Sequence, residues 1–379
     1  MNLYDDDLKL VTFSGQQWLG NFFGLDSKKS LYNTVFSPYF KDQSAILLLG
    51  DTPRVFENEV VIEHFSDHPH HHYQENDHIT ITSGFNFKNY PHTFKKNKIF
   101  YFPYWLFFSK FAQLDDIYGF PEQRKYSVSC LNRNIRIPRI YNLISLHKRS
   151  YFKEICWTFN KIITTNELNN SLIPFNFEKI NIEIEPNLTY ENFQDNHSNE
   201  SIFYKIRKYH GQQALETFKE VIQQVPDVRS NSMDEYYHCA RVYEPGWGNS
   251  YLNLVTEPQL EDYGFISEKI FKPIRAEQLF IVQGCPGTIQ YLRSVGFDVF
   301  DDYIDHNRYD NEQDWIKRID LSLEVLDEIY KDIPSIFAAT KQRRLYNKQH
   351  LQSQELESIV LKDILSCMES EFQRKQNGI

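Results

Sequence analysis

The chain has 379 residues, of which 41% are hydrophobic and 24% charged, and its 51 acidic residues outnumber 41 basic ones to give a net charge of −10. A chain of this size and composition buries real cores, and at about 100–200 residues per domain it predicts two domains. Wholesale disorder and collagen-like, mucin-like or coiled-coil organisation are excluded, and there is no global basic field for nucleic acid.

The first ten residues are acidic and lack an apolar signal core, which predicts a cytoplasmic protein. The longest apolar run, 99–108, contains Pro103 and is too short to span a bilayer, so membrane contact is at most peripheral, at the inner face. In the first third, short apolar runs at 8–14, 44–50, 60–65, 78–84 and 98–102 read as strands, with a short helix at 16–23. Together they predict one open, mostly parallel α/β layer.

Pro121 and the charged run Glu122-Gln123-Arg124-Lys125 break the pattern, and a second alternation begins. A strand is predicted at 126–131, a basic loop at 132–139 and a helix at 140–147, with Pro138 in its first turn. Another strand is expected at 151–159. Residues 160–200, rich in Asn, Ile and Glu, read as an irregular insertion, and 212–224 as an amphipathic helix ended by Pro226. After a strand at 251–256, Ser267 is a good N-cap for a helix beginning Glu268-Lys269-Ile270-Phe271. A buried strand at 279–283 leads to the turn Gly284-Cys285-Pro286-Gly287 and a helix at 289–295 capped by Thr288 and stopped by Gly296. A strand at 297–300 and helices at 314–330 and 354–372 complete the pattern, with Pro334 ending the first of these helices. The predicted domains are 1–122 and 123–345, with 346–379 forming a C-terminal helix that packs back on the first. Ligands of open parallel sheets bind beyond the strand C-termini, so the cleft between two such layers is the natural active site.

Four clusters could carry chemistry. In the loop 132–139, Arg133, Arg136 and Arg139 lie between a strand and a helix start. Arginine presents bidentate, always-charged donors that match phosphate oxygens, and a helix N-terminus favours anions. A solvated loop with its arginines paired to surface acids is the competing reading.

In the second cluster, Ser267-Glu268-Lys269, a lysine in a first helical turn is electrostatically unfavourable unless an anion lies near. A diphosphate would supply that anion, and Glu268 could accept from ribose hydroxyls. Alternatively Glu268 only complements the helix dipole and Lys269 points to water. In the third, the turn 284–288 could bring backbone N–H groups to a ligand or be no more than a tight connection, and it matches neither a P-loop nor a dinucleotide fingerprint.

The fourth is the histidine group His64, His68, His70, His71, His72 and His78, which comes without an HExxH or Cys/His set and reads as a polar loop rather than a metal site. Asp67 and Glu63 lie in or just past the strand at 60–65, where a carboxylate could serve as general base, or simply be a surface acid. The five cysteines (Cys130, Cys156, Cys239, Cys285 and Cys367) are odd in number and contain no CxxC, which reads as reduced thiols. Serine-hydrolase and kinase signatures are absent, while paired glycosidase carboxylates leave no sequence motif.

The run Phe265-Ile266-Ser267-Glu268-Lys269-Ile270-Phe271-Lys272-Pro273-Ile274, followed by Gly284-Cys285-Pro286-Gly287, resembles the donor-binding segment of family 10 glycosyltransferases, the α1,3/α1,4-fucosyltransferases and their bacterial and viral relatives. The segments 126–139, 249–257 and 292–302 fit the same resemblance. Ser267 stands where that family usually has Thr, and 160–240 has no counterpart.

The resemblance implies an α/β fold of GT-B type: two Rossmann-like domains facing a central cleft, with an irregular insertion and a C-terminal helix. It implies an inverting, metal-independent transferase that needs no cofactor and moves fucose or a related deoxysugar from a nucleotide donor, GDP-linked, to a glycan or lipid-linked oligosaccharide acceptor in surface polysaccharide or O-antigen synthesis. It places Glu268 on the ribose and Lys269 on the diphosphate, joined by an arginine of the loop, Arg139 first. The base becomes Asp67, then Glu63, with His64 and His68 as the remaining candidates. A non-catalytic carbohydrate-binding module, or a hydrolase on the same two-layer fold, are the competing functions.

Overall fold

A computed structural model of the chain describes residues 11–12, 45–49, 60–65, 79–82, 98–101, 103–111, 120–132, 137–158, 207, 211–218, 220–221, 248–257, 260 and 266–376. Among these the architecture is α/β, with two parallel sheets. The expected helix at 16–23 and the insertion at 160–200 lie outside the described residues.

The first sheet contains β1 (Val11–Thr12), β2 (Ala45–Leu49), β3 (Val60–Phe65), β4 (Ile79–Thr82) and β5 (Lys98–Tyr101). Each expected strand of this region has described residues in strand conformation, and β3 spans its expected 60–65. The strands pair in simple order, β1-β2-β3-β4-β5, and every pairing is parallel. Helix α1 (Tyr104–Phe111) follows, where the sequence reading saw only an apolar run and a break. Its eight residues are almost all aromatic or aliphatic, and Leu106 and Phe107 are buried, so its period is hidden by hydrophobicity on all sides.

The second sheet contains β6 (Tyr126–Leu131), β7 (Cys156–Thr158), β8 (Ser250–Thr256) and β9 (Leu279–Gln283) in the order β7-β6-β8-β9, again all parallel. Helix α2 (Ile137–His147) begins three residues earlier than expected, so Arg139 belongs to its first turn and not to the loop. Helix α3 (Glu268–Arg275) starts where Ser267 predicts, and α4 (Thr288–Ser294) follows β9. Then come α5 (Trp315–Ile329), α6 (Ile333–Ala339), α7 (Lys341–Gln352) and α8 (Gln354–Gln376). Pro334 does not end α5, which stops at Ile329 and passes into a 3-10 turn at Tyr330–Asp332; the proline instead lies in the first turn of α6. The segment expected as an amphipathic helix is helical at 211–218 and 220–221 and buries Leu215, Phe218 and Val221.

The core lies around the second sheet. Leu279, Phe280, Ile281 and Val282 of β9 are buried on both faces, as a parallel strand between helices requires. Helix α5 adds Ile319, Leu323 and Leu326, each fully buried and each contributing about 1.5–3 kcal/mol by removal from water.

The expected strand at 297–300 is not one. Asn347 of α7 takes the place of a neighbouring strand: its Oδ1 accepts from the Asp298 N–H at 2.8 Å, and its Nδ2 donates to the Asp298 carbonyl at 2.7 Å. Phe300 sits at a φ of 64°, which ends any extended run.

The two halves meet at α1, which lies against α3 and α7, while α8 lies against β3. Lys110, near the end of α1, is 7% exposed. Its Nζ donates to the carbonyls of Gln352 at 3.1 Å and Ser353 at 2.6 Å, and pairs with Glu357 at 2.7 Å. One ammonium thus holds the junction between α7 and α8.

Candidate functional site

Strand order locates the site. The first sheet runs 1-2-3-4-5 without reversal, so its described strands contain no switch point. In the second, the chain passes from β6 outward to β7, then returns to β8 on the other side of β6. The connections leaving β6 and β8 therefore diverge, and a crevice opens beyond their C-terminal ends. The two segments that start there are α2, with Arg139, and the Glu257–Lys269 region leading into α3.

The floor beneath is polar and buried. Asn142 of α2 donates from Nδ2 to Thr256 Oγ1 at 3.2 Å and approaches the Cys130 sulfur at 3.4 Å. Thr256 donates to Gln283 Oε1 at 2.9 Å. Gln283 Nε2 donates to Asn142 Oδ1 at 2.9 Å and to Ser322 Oγ of α5 at 3.0 Å. Asn142, Gln283 and Ser322 are fully buried. A satisfied network of this kind fixes the ends of β6, β8 and β9 relative to α2 and α5. Burial pushes the Cys130 thiol up to about 12, despite hydrogen bonds from its neighbours and the nearby Arg139 charge, so it is not a nucleophile at neutral pH.

At the start of α3, Glu257 is fully buried one residue past β8. Its Oε1 accepts the Ser267 N–H at 3.1 Å and its Oε2 accepts the Ser267 hydroxyl proton. Ser267 Oγ in turn accepts from the Lys269 N–H at 3.3 Å and from Lys269 Nζ at 3.2 Å. Lys269 Nζ also lies 3.0 Å from Glu268 Oε1.

One carboxylate therefore meets the ammonium directly and a second through Ser267, and their environments separate them. Burial raises the Glu257 carboxyl above its usual range, with Lys269 and the Ser267 hydrogen bonds opposing. Burial also pushes Glu268 up, but Lys269, Lys272 and hydrogen bonds outweigh it, so its net shift is downward. Glu268 thus stays ionised, poised to accept hydrogen bonds. A quarter of the Lys269 side chain remains open to solvent.

The glycine turn behaves differently. Gly287, at a φ of 80°, precedes α4, and its N–H donates to the Asp310 carbonyl at 2.8 Å. Asp310 Oδ1 accepts the Ile289 N–H at 2.8 Å and Oδ2 the Gln290 N–H at 3.0 Å. Thr288, expected as the cap, is the first residue of the helix, and its hydroxyl donates back to the Cys285 carbonyl at 2.7 Å. The Gly287 and Thr288 N–H groups are committed to backbone carbonyls and those of Ile289 and Gln290 to the Asp310 carboxylate, so the turn is structural.

Of the residues singled out in the sequence, Ser267, Glu268 and Lys269 form one hydrogen-bonded unit, and Arg139 is buried in the first turn of α2, at the same end of the sheet. Glu63 lies in β3, in register with Leu48 and Thr80. Asp67, Arg133, Arg136 and the histidines other than His64, His147 and those beyond 300 lie outside the described residues. Among the described residues, no group of three or more His, Cys, Asp or Glu could hold a metal ion, and no helix is long and apolar enough to cross a membrane. The sequence reading missed Glu257, the Asn142–Thr256–Gln283 floor and Asp310. The floor alone had a signal: Thr256 and Gln283 are polar residues at the last positions of their strands.

No protein-family model and no curated protein matches the chain. Among solved structures, it matches the crystal structure of the DNA-modifying enzyme β-glucosyltransferase, determined in the presence and absence of its substrate uridine diphosphoglucose. The identity is 10%, the match covers 85% of this chain and 82% of that one, and the TM-score is 0.37. A superposition that loose carries no functional weight.

Proposed function

We propose that the chain is an inverting, metal-independent glycosyltransferase of GT-B architecture. It moves a sugar, fucose or a related deoxysugar, from a GDP-linked donor to a glycan or lipid-linked oligosaccharide of surface polysaccharide or O-antigen synthesis. Its two sheets are the cores of two domains, 1–122 and 123–345, with 346–379 reaching back to the first. The observation that carries this reading is the Ser267-Glu268-Lys269 unit at the start of α3, the helix that follows β8 at the switch point of the second sheet.

The chemistry follows from the charges. Departure of a nucleoside diphosphate builds negative charge on its phosphate oxygens, and preorganised cations stabilise it. Lys269 and Arg139, joined by Arg133 and Arg136 of the preceding loop, supply cations without a divalent metal. Glu268 accepts from the ribose hydroxyls, for which an ionised and partly enclosed carboxylate is suited. A carboxylate of the first domain deprotonates the acceptor hydroxyl, which attacks the anomeric carbon from the face opposite the diphosphate. Asp67, two residues past β3, is assigned this role, with Glu63 second. Closure of the two domains excludes water and limits hydrolysis of the donor.

Thermal melts with GDP, UDP, CMP, dTDP and ADP, each with and without EDTA, test the reading. A ligand at 100 times its Kd adds about 2.7 kcal/mol to the folded state, a readily measured shift. Stabilisation by GDP alone, unaffected by EDTA, is the expected result. Stabilisation by another nucleotide keeps the transferase and removes the GDP-linked donor, and no shift with any nucleotide overturns the proposal in favour of a carbohydrate-binding module or hydrolase.

A further inference from the structure

We propose that Glu257 is a positioning residue that holds the Lys269 ammonium in place, acting through the hydroxyl of Ser267. The inference rests on the proposed function only for the use made of Lys269, not for the linkage itself.

The linkage follows from counting donors and acceptors. A serine hydroxyl has one proton to donate and two lone pairs to accept with. At Ser267 all three are assigned: the proton goes to Glu257 Oε2, and the lone pairs receive the Lys269 N–H and Lys269 Nζ. The proton can point to Glu257 because a carboxylate oxygen accepts. Once it does, both lone pairs turn to Lys269. Glu257 also holds the Ser267 backbone through its N–H at 3.1 Å, so neither the hydroxyl oxygen nor its proton is free to swing.

Glu257 is itself fixed. It is fully buried, and its own N–H donates to the Gln283 carbonyl at 3.0 Å, extending the β8–β9 ladder by one residue. The chain of contact runs from the sheet through Glu257 and Ser267 to an ammonium that is one-quarter exposed. Glu268, the carboxylate that pairs with that ammonium, lies on the same helix as Lys269 and cannot supply a reference to the sheet.

A glutamine at 257 keeps the size but presents an NH2 group that can only donate. Turned toward Ser267, it takes a lone pair and forces the serine proton toward Lys269, where two donors already stand. The ammonium should then leave Ser267.

The test is acylation by a water-soluble N-hydroxysuccinimide ester, read residue by residue by mass spectrometry. Lys348 is the internal control, since its side chain is equally exposed at 25% and it pairs with a carboxylate, Glu277, at 2.8 Å. In Glu257→Gln, Lys269 should be acylated about tenfold faster while Lys348 is unchanged, about the effect of one charge-assisted contact. Ser267→Ala should do the same, and the double variant should do no more than either single one, as expected when two residues act in series. An unchanged Lys269, an equal rise at both lysines or an additive double variant each overturns the proposal. Titration with inorganic pyrophosphate separates the two readings. Wild-type binding weakened about tenfold in both variants extends the positioning role to the ligand. Absence of wild-type pyrophosphate binding counts against the diphosphate site and leaves the acylation result to decide Glu257.

Discussion

Helices α3 and α4 begin alike and end up with opposite duties. Each comes next after a strand of the second sheet, and each begins with N–H groups that favour an anion. At α4 the anion is built in: Asp310 covers the Ile289 and Gln290 N–H groups from about twenty residues downstream. At α3 the buried carboxylate, Glu257, is spent on Ser267, and the first turn presents Lys269 beside an ionised Glu268. A closed helix start stabilises the fold, and an open one with a lysine is equipped to meet a ligand. Sequence alone ranked the two almost equally, because a glycine-rich turn advertises a ligand more loudly than a serine cap does.

The contrast can be broken most forcefully at Asp310. Asp310→Ala should strip two N–H groups of their acceptor and destabilise the protein by about 2–4 kcal/mol, measured by denaturant unfolding, with any nucleotide affinity of the folded fraction unchanged. A loss of affinity at full stability would reverse the roles of the two helices.

Acid should find the same weak point. His306 is buried with both ring nitrogens bonded, Nδ1 to the Tyr309 hydroxyl at 2.6 Å and Nε2 to the Val299 carbonyl at 2.7 Å. Burial lowers it to about 4, against an ordinary 6.5. As pH falls below 6.5 the unfolded chain takes up this proton while the folded one refuses it. Its contribution, up to about 3 kcal/mol, is therefore lost between pH 6.5 and 4 and is constant below. His306→Gln should flatten that part of the stability profile measured by urea unfolding.

Lys269→Ala should cost about 2 kcal/mol of nucleoside diphosphate binding, some thirtyfold in Kd, and leave the melting temperature nearly unchanged, since this side chain is partly exposed. The smallest effect sharpens the reading of the glycine turn. A Cβ on Gly284 would stand 2.8 Å from Thr288 Oγ1, which already donates to Cys285. Gly284→Ala should destabilise by about 1 kcal/mol without touching ligand binding, as calorimetry of the same sample would show.

Legibility followed locality. Strands β3, β6 and β9 and the start of α3 matched to the residue, because their signals lie within a few positions: an apolar run with clear ends, or a serine before a helix. What failed had a distant cause. The strand expected at 297–300 was lost to Asn347, nearly fifty residues away, and the cap of α4 came from Asp310 rather than Thr288. The helix expected at 140–147 starts at Ile137, one residue before Pro138, which brings Arg139 out of the expected loop and into the first turn. Glu257 escaped notice because nothing about a lone glutamate after a strand tells that it will be buried.

The grip of Lys110 on the α7–α8 junction has a consequence during synthesis. Its acceptors lie more than 240 residues further along. At about 5–20 residues per second, the ribosome delivers them roughly 12–50 s after the lysine emerges. Throughout that interval the end of α1 cannot complete its burial, and the first half of the chain waits with an apolar helix uncovered. A nascent chain stalled before residue 352 is thus a natural client for chaperones, and the arrival of Gln352, Ser353 and Glu357 is the event that seals the end of α1.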